Sequence, residues 1–208
     1  MLRFISKNAA ILGVAAVACV AVVAGVNQLT AGEIAKQALE QKISSLQQVL
    51  PAGTDTSSLL SSCRLVKNSE VFGANQVPVY STQVDGKPVY VVETVAPDGY
   101  SGNIYLLVAV GADGTVFGVR TLAHKETPGL GDKIELAKND WILSFTGKSV
   151  HNDQDTHFAV RKDGGEFDQF AGATITPRAV VKAVKKAALY FQQQPQILLE
   201  ASMCGGAQ

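Results

Sequence analysis

The sequence is poor in cysteine, carries no excess of either charge, and lacks the glycine-rich fingerprint of dinucleotide-binding domains. Its three cysteines, Cys19, Cys63 and Cys204, have no metal-binding spacing, so we expect no metal site. Lysine plus arginine number 18, and aspartate plus glutamate also number 18, a balance that argues against a nucleic-acid-binding protein. Without the dinucleotide fingerprint, hydride exchange with a nicotinamide cofactor is not expected of this chain.

The longest uncharged run lies near the N-terminus. Residues 9–26 read AAILGVAAVACVAVVAGV, without charge or proline. A helix of this length spans about 27 Å, close to the hydrocarbon thickness of a bilayer. Arg3 and Lys7 precede the run. This charge pattern predicts a cytoplasmic N-terminus over 1–8, a transmembrane helix over 9–29, and a remainder on the opposite side of the membrane.

Two other interpretations of the apolar run remain open. One is a cleaved signal peptide, although such peptides have a shorter apolar region that ends at a small-residue site. The other is a lipoprotein site at Cys19, although the chain stays apolar from there to Val26. The length and the flanking charges favour an uncleaved anchor.

The remainder divides into a connector, a domain and a tail. Apolar residues recur at near-helical spacing between Thr30 and Leu50, and Pro51 ends the pattern. We therefore predict a helix over 30–50 followed by a Ser/Thr-rich segment, which together form a helical connector over 30–70. The next segment, 71–194, has the strand and helix signals of a domain, and 195–208 form a C-terminal tail.

Inside the domain the sequence predicts antiparallel strands followed by helices. Asp85-Gly86 and Asp113-Gly114 mark two hairpin turns, and the run Ile104–Val110 indicates a strand buried on both faces. Residues 97–102, PDGYSG, are predicted to form a loop. Short helical segments are expected within 133–145, and a final amphipathic helix over 177–193. The predicted fold class is α+β, antiparallel sheets with flanking helices, preceded by one transmembrane helix.

The stretch Phe167–Pro177, FDQFAGATITP, precedes this final helix. Thr176 suits an N-cap and Pro177 the first helical position. Thr174 would then lie two residues before the cap, beside Gly172 and Ala173. A helix N-terminus favours phosphate, and small neighbours let a bulky group approach the backbone. A tight entry turn without a ligand explains the same residues.

Residues 168–174, DQFAGAT, resemble the flavinylation motif of the FMN-binding domain family, in which an aspartate precedes Ser/Thr/Ala-Gly-Ala-Thr. In that family a flavin transferase cleaves FAD and joins FMN through its phosphate to the last threonine. The resemblance implies covalent FMN on Thr174. Ala171 departs from the serine or threonine of many members, a change expected to be tolerated because the linkage uses the later hydroxyl.

A second stretch, HKETPGLG at 124–131, resembles a loop of the same family that folds near the flavin. No catalytic residue is implied, and Thr174 is an attachment site only. The residues that the two stretches predict close to the cofactor are His124, Glu126, Thr127, Gly129, Leu130, Gly172, Ala173 and Thr176. His124 and Glu126 either touch the flavin or brace the loop.

With its anchor and length, the chain is similar to the G subunits of Rnf (Rsx) ion-translocating oxidoreductase complexes. That resemblance implies a membrane-anchored electron-transfer protein that works with other Rnf membrane subunits and is matured by a flavin transferase. It also implies a single-pass protein of the bacterial inner membrane with its domain in the periplasm. The C subunits of sodium-pumping NADH:quinone oxidoreductases share the domain and are an alternative. Others are a noncovalent flavoprotein and an exported binding module without redox activity. The sequence does not decide whether Cys63 and Cys204 form a disulfide.

Overall fold

The computed structural model describes residues 2–56, 58–194 and 196–204, and the chain forms two compact units, 1–43 and 44–208. The first unit belongs to one long helix, α1 (Leu2–Gln48). Within it, Ser6–Gln48 is long and apolar enough to cross a membrane, and none of its most apolar window is buried. The single N-terminal apolar helix predicted from the sequence is therefore present.

The second unit contains one six-stranded antiparallel sheet, which confirms the predicted α+β fold class. Its spatial order is β5-β4-β3-β2-β1-β6. The strands are β1 (Arg64–Val66), β2 (Val77–Val84), β3 (Lys87–Gly99), β4 (Gly102–Gly111), β5 (Val116–Ala123) and β6 (Ser202–Met203). The α-helices are α2 (Ser69–Phe72), α3 (Ile175–Gln193) and α4 (Ile197–Glu200), and 3-10 helices cover Gly131–Ile134, Asp140–Phe145 and Arg161–Asp163.

Both predicted hairpin turns are confirmed. Asp85 and Gly86 join β2 to β3 with φ angles of 51° and 77°, the left-handed conformation that a two-residue hairpin turn requires at both positions. Asp113 and Gly114 lie between β4 and β5, where the Asp113 carboxylate accepts a hydrogen bond from the Thr115 amide at 3.0 Å. Turn chemistry in the sequence thus fixes the register of two strand pairs.

Two sequence predictions differ from the structure. The helix predicted over 30–50 is present and ends at Gln48, before Pro51, but the connector 30–70 also contains β1, which pairs with β2 and β6. The predicted loop 97–102 is mostly strand: β3 runs to Gly99, β4 starts at Gly102, and Tyr100 and Ser101 form the turn. A register shift between Ala96 and Gly99 accommodates Pro97, which has no N–H to donate to the ladder.

Hydrophobic residues cover both faces of the sheet, so β3 and β4 are buried from both sides. On one face, α3 and the 3-10 helices pack against Val92, Leu106 and Val108. On the other, Leu46 near the end of α1 and Val49 just after it pack with the alternate strand residues. These alternate residues are Tyr80, Val89, Val91, Leu107 and Ala109.

Gly118 in β5 lets the chain after α1 lie directly on the sheet. A Cβ at this position would lie 2.6 Å from the Val49 carbonyl oxygen and 2.8 Å from the Val49 Cα. We expect Gly118→Ala to lower the free energy of unfolding by about 1–3 kcal/mol, since the backbone must move to admit the methyl group. Chemical denaturation measures this effect. Gly32→Ala is the control because nothing lies within 4 Å of its Cβ, and an equal loss in both variants would contradict the packing account.

The structure joins Cys63 to Cys204 by a disulfide that the sequence left open. The Cα atoms are 5.4 Å apart, and the Cys204 amide also donates a hydrogen bond to the Cys63 carbonyl at 3.1 Å. Because β6 pairs with β1 just beside this bond, the disulfide holds the end of the described chain against the sheet.

Candidate functional site

Aromatic side chains anchor the segment that precedes α3. Phe167 and Phe170 are buried, and they pack against aromatic rings from the 3-10 helix at 140–145. Phe167 stacks on Phe145 with ring centroids 4.5 Å apart, and Phe170 meets Trp141 edge-on at 5.1 Å. The Trp141 indole N–H also donates to the Asp168 carbonyl at 2.9 Å. These contacts fix the position of the chain just before motif residues 171–174.

Beyond Phe170 the chain makes a tight turn that presents Thr174. The Ala173 amide donates to the Phe170 carbonyl at 3.1 Å, and Gly172 between them has a φ of 80°. A residue with a Cβ strains that conformation, and the Cβ would also lie 3.4 Å from the Leu130 side chain. Thr174 follows at the N-cap of α3, exposed and without a side-chain capping hydrogen bond. Its hydroxyl is therefore accessible.

The predicted start of α3 was wrong by two residues. The helix begins at Ile175, so Thr174, not Thr176, is the N-cap, and Pro177 is the third helical residue. Proline is tolerated there because the first amides of a helix have no intrahelical acceptor. Thr176 is buried, and its hydroxyl donates to the Glu126 carboxylate instead of capping the helix.

A cavity of about 310 Å³ lies beside Thr174. Seven of the predicted site residues line it: Glu126, Thr127, Leu130, Gly172, Ala173, Thr174 and Thr176. His124 and Gly129 are not among its lining residues. Residues of both motifs thus line one cavity. A hydrogen bond also joins Glu126 of the 124–131 motif to Thr176, which follows the 168–174 motif and lies 50 positions further along the chain.

Three further lining residues were missed: Tyr100, Gly131 and Ile175. Tyr100 lies at the β3–β4 turn with 68% of its surface exposed, and Ile175 and Leu130 are 44% and 41% exposed. Exposed apolar side chains around a cavity offer contact surface for a flat aromatic ligand. Tyr100 belongs to the PDGYSG stretch. An aromatic residue in a predicted turn was the sequence feature that could have identified it as a site residue.

Hydrogen bonds of the His124 side chain stabilise the 124–131 loop. The Glu126 amide donates to the His124 Nδ1 at 3.0 Å, and the His124 Nε2 lies 2.8 Å from a Glu135 oxygen. Because Nδ1 accepts, the imidazole proton is on Nε2 and is donated to Glu135. His124 therefore braces the loop and does not line the cavity.

The cavity contains one ionisable carboxylate, Glu126, and no lysine or arginine among its lining residues. The nearest basic residues of α3 are already paired: Arg178 with Asp163, at 2.6 and 2.8 Å, and Lys182 with Asp98. These hydrogen bonds lower the pKa of the Asp163 and Asp98 carboxyl groups. The N-terminus of α3 contributes positive potential at the cavity.

This arrangement fits a phosphate-linked flavin in three respects. An accessible hydroxyl stands at a helix N-terminus, which favours a single negative charge through its amides and dipole. The cavity volume is at the lower end of the range for small-molecule sites, and its exposed apolar rim extends the contact surface. The turn at Gly172 keeps the backbone free of bulky side chains.

Known protein families match two parts of the chain. Residues 99–189 match the FMN-binding domain and residues 1–49 the RnfG N-terminal region. A crystal structure of the C subunit of the Na⁺-translocating NADH-quinone reductase from Parabacteroides distasonis, 22% identical, covers 78% of this chain and 94% of its own, with a TM-score of 0.48. That likeness is too weak to support a conclusion.

Full-length relatives are much closer. The G subunit of the ion-translocating oxidoreductase complex of Shewanella loihica is 49% identical over 201 residues, 96% of this chain and 95% of the relative. The corresponding G subunits of Escherichia coli and Vibrio atlanticus are 50% and 47% identical, each over 99% of this chain and 100% of the relative. The chain therefore belongs to the family of G subunits of the ion-translocating oxidoreductase complex, and its FMN-binding domain lies at residues 99–189.

Proposed function

We propose that this chain is a membrane-anchored electron-transfer protein that carries FMN covalently on Thr174 and works within an ion-translocating oxidoreductase complex. The observation that carries the proposal is the position of Thr174: an exposed hydroxyl at the N-cap of α3, on the wall of the cavity where both motifs meet. Thr176, the next hydroxyl along the chain, is 1% exposed and bonded to Glu126, so it is a poor acceptor.

Attachment would be a phosphoryl transfer without a redox change. The Thr174 hydroxyl would supply the oxygen that bonds to the phosphorus of the FMN half of FAD, held by a flavin transferase. The phosphoanhydride bond would break, with AMP as the leaving group and the hydroxyl proton released. The amides at the start of α3 would then stabilise the single negative charge of the phosphodiester.

The protein's part would be to hold the group. Bound FMN supplies one- and two-electron chemistry. The N-terminus of α3 would hold the phosphate, and Tyr100, Leu130 and Ile175 would offer apolar contact to the ring system. Thr127 and Gly131 belong to the loop that faces Gly172 across the cavity. No side chain of the protein is assigned a proton-transfer role.

The N-terminal helix would keep the domain near its partner subunits. Anchoring raises the effective concentration of a carrier relative to the membrane subunits with which it exchanges electrons. Arg3 and Lys7 before the span favour a cytoplasmic N-terminus, with the domain in the periplasm. The Cys63–Cys204 bond supports this orientation because disulfides persist in oxidising compartments.

Family membership favours this function over its rivals. The full-length relatives are named as G subunits of the ion-translocating complex, not as C subunits of the sodium-pumping reductase, and they match over nearly the whole chain. A binding module without redox activity has no reason to match an FMN-binding domain. A noncovalent flavoprotein would leave the accessible Thr174 hydroxyl without a role.

Acid precipitation tests the covalent bond directly. We expect the full-length chain, co-expressed with a flavin transferase, to be yellow and to keep its flavin in the acid-precipitated pellet. The matched control is the same chain expressed without the transferase, whose pellet should be colourless. Flavin that is released entirely into the acid supernatant would identify a noncovalent flavoprotein. A colourless chain, alongside a transferase active on a control substrate, would refute the flavin proposal.

A further inference from the structure

Glu126 is a buried carboxylate that the proposed chemistry does not use. The residue is only 5% exposed. One carboxylate oxygen accepts the Ser101 amide at 2.9 Å, and the other accepts the hydroxyl of Thr176. Burying a carboxylate is costly unless both oxygens are hydrogen-bonded, and here both are.

These two bonds join three segments that are far apart in sequence. Ser101 lies at the β3–β4 turn, Glu126 in the 124–131 loop, and Thr176 in the first turn of α3. Each segment also supplies part of the cavity wall: Tyr100 from the turn, Leu130 from the loop, and Thr174 from the start of α3. The position of Glu126 therefore sets the spacing of the walls.

Two glycines leave room for these bonds. A Cβ on Gly131 would lie 2.9 Å from a Glu126 oxygen and 3.0 Å from the Thr176 hydroxyl oxygen. A Cβ on Gly99 would lie 2.2 Å from the Gly102 carbonyl and 3.0 Å from the other Glu126 oxygen. Neither glycine has a φ in the left-handed region, so close packing accounts for their small size: against Glu126 and Thr176 for Gly131, and against the Gly102 carbonyl and Glu126 for Gly99.

We propose that Glu126 is a positioning residue for flavin attachment: acting through the Thr176 hydroxyl and the Ser101 amide, it holds Thr174 and Tyr100 at the spacing that the transferase reaction needs. This inference rests on the proposed attachment at Thr174. Without the Thr176 hydroxyl, a Glu126 oxygen is buried unpaired, so the loop and the start of α3 move apart. A displacement on the order of 1 Å is enough to slow a group transfer by one or two powers of ten.

The test measures the initial rate of flavin incorporation into the detergent-solubilised full-length chain, with purified flavin transferase and FAD. Thr176→Val keeps the side-chain shape and removes the hydroxyl, whereas Thr176→Ser keeps the hydroxyl and removes a methyl group. Glu126→Met removes both acceptor oxygens at similar side-chain length. Thr94→Val is the matched control, because Thr94 is 1% exposed and donates to the Phe72 carbonyl outside the cavity.

We expect Thr176→Val and Glu126→Met to slow incorporation by about tenfold or more, and Thr176→Ser and Thr94→Val to stay within about twofold of wild type. A packing role alone predicts the reverse order, with valine tolerated and serine slow. Equal rates in wild type, Thr176→Val and Glu126→Met overturn the proposal. If wild type itself takes up no flavin while the transferase labels a control substrate, the proposed function fails first.

Amide hydrogen exchange on the unlabelled chain tests the contacts independently of the transferase. We expect the Ser101 amide to be protected in wild type and to exchange about tenfold or more faster in Glu126→Met. In Thr176→Val it should stay protected, since its acceptor remains. A Ser101 amide that exchanges at the unprotected rate in wild type overturns the proposal even if a variant fails to fold.

Discussion

Thr174→Ala is expected to abolish covalent flavin. The wild-type band should fluoresce in a denaturing gel after treatment with a flavin transferase, and the variant band should be dark, because no hydroxyl remains at the N-cap of α3. Thr174→Ser keeps an acceptor hydroxyl and should fluoresce. The thermal stability of Thr174→Ala should be close to that of wild type, since the Thr174 side chain makes no capping hydrogen bond.

An exposed threonine elsewhere gives the control for that experiment. Thr146→Ala removes a hydroxyl from another exposed position of the domain and should leave the fluorescence unchanged. Fluorescence of equal strength in Thr174→Ala and wild type would place the link on another residue. Loss of fluorescence in Thr146→Ala as well would indicate a general defect in transferase recognition.

Replacing Cys63 and Cys204 together by serine is expected to lower the free energy of unfolding by about 2–4 kcal/mol. The disulfide closes a loop with a sequence separation of 141, so removing it greatly increases the freedom of the unfolded chain. It also releases β6, which adds only two residues to the edge of the sheet. Denaturant unfolding under non-reducing conditions measures the loss.

Cys19→Ser is the control for the double replacement, because Cys19 is a free cysteine in α1 and should not affect unfolding of the domain. We also expect a single reactive thiol in the denatured, non-reduced wild-type chain. Three reactive thiols in protein purified without reductant would contradict the disulfide and weaken the proposed orientation of the domain.

Local signals predicted the parts of the fold that depend on neighbouring residues. The turns at Asp85-Gly86 and Asp113-Gly114 follow from the turn chemistry of Asp-Gly pairs, and the amphipathic stripe of α3 follows from its spacing. Local signals do not predict which distant segments pair as strands. Strands β1 and β6 are short and lie in segments interpreted as connector and tail, so nothing local marks them as partners.

The site shows the same division between local and long-range information. Two motifs predicted seven of the residues that line the cavity, because each motif is contiguous in sequence. The bond between Glu126 and Thr176 joins residues 50 positions apart, so no contiguous motif contains it. Thr-Pro favours a helix start when it is considered alone. In the structure the Thr176 hydroxyl donates to the buried Glu126 carboxylate, and Thr174 is the N-cap.

Peptide mapping by mass spectrometry tests the central claim most directly. After flavin transferase treatment, the tryptic peptide 163–178 should gain the mass of one FMN less one water, and fragmentation should place that gain on Thr174. A gain of one FMN less one water is that of an ester through the phosphate, whereas a bond through the flavin ring would add one FMN less two hydrogen atoms. A gain that maps to Thr176 or to another peptide, or no gain while the transferase labels a control substrate, would contradict the account.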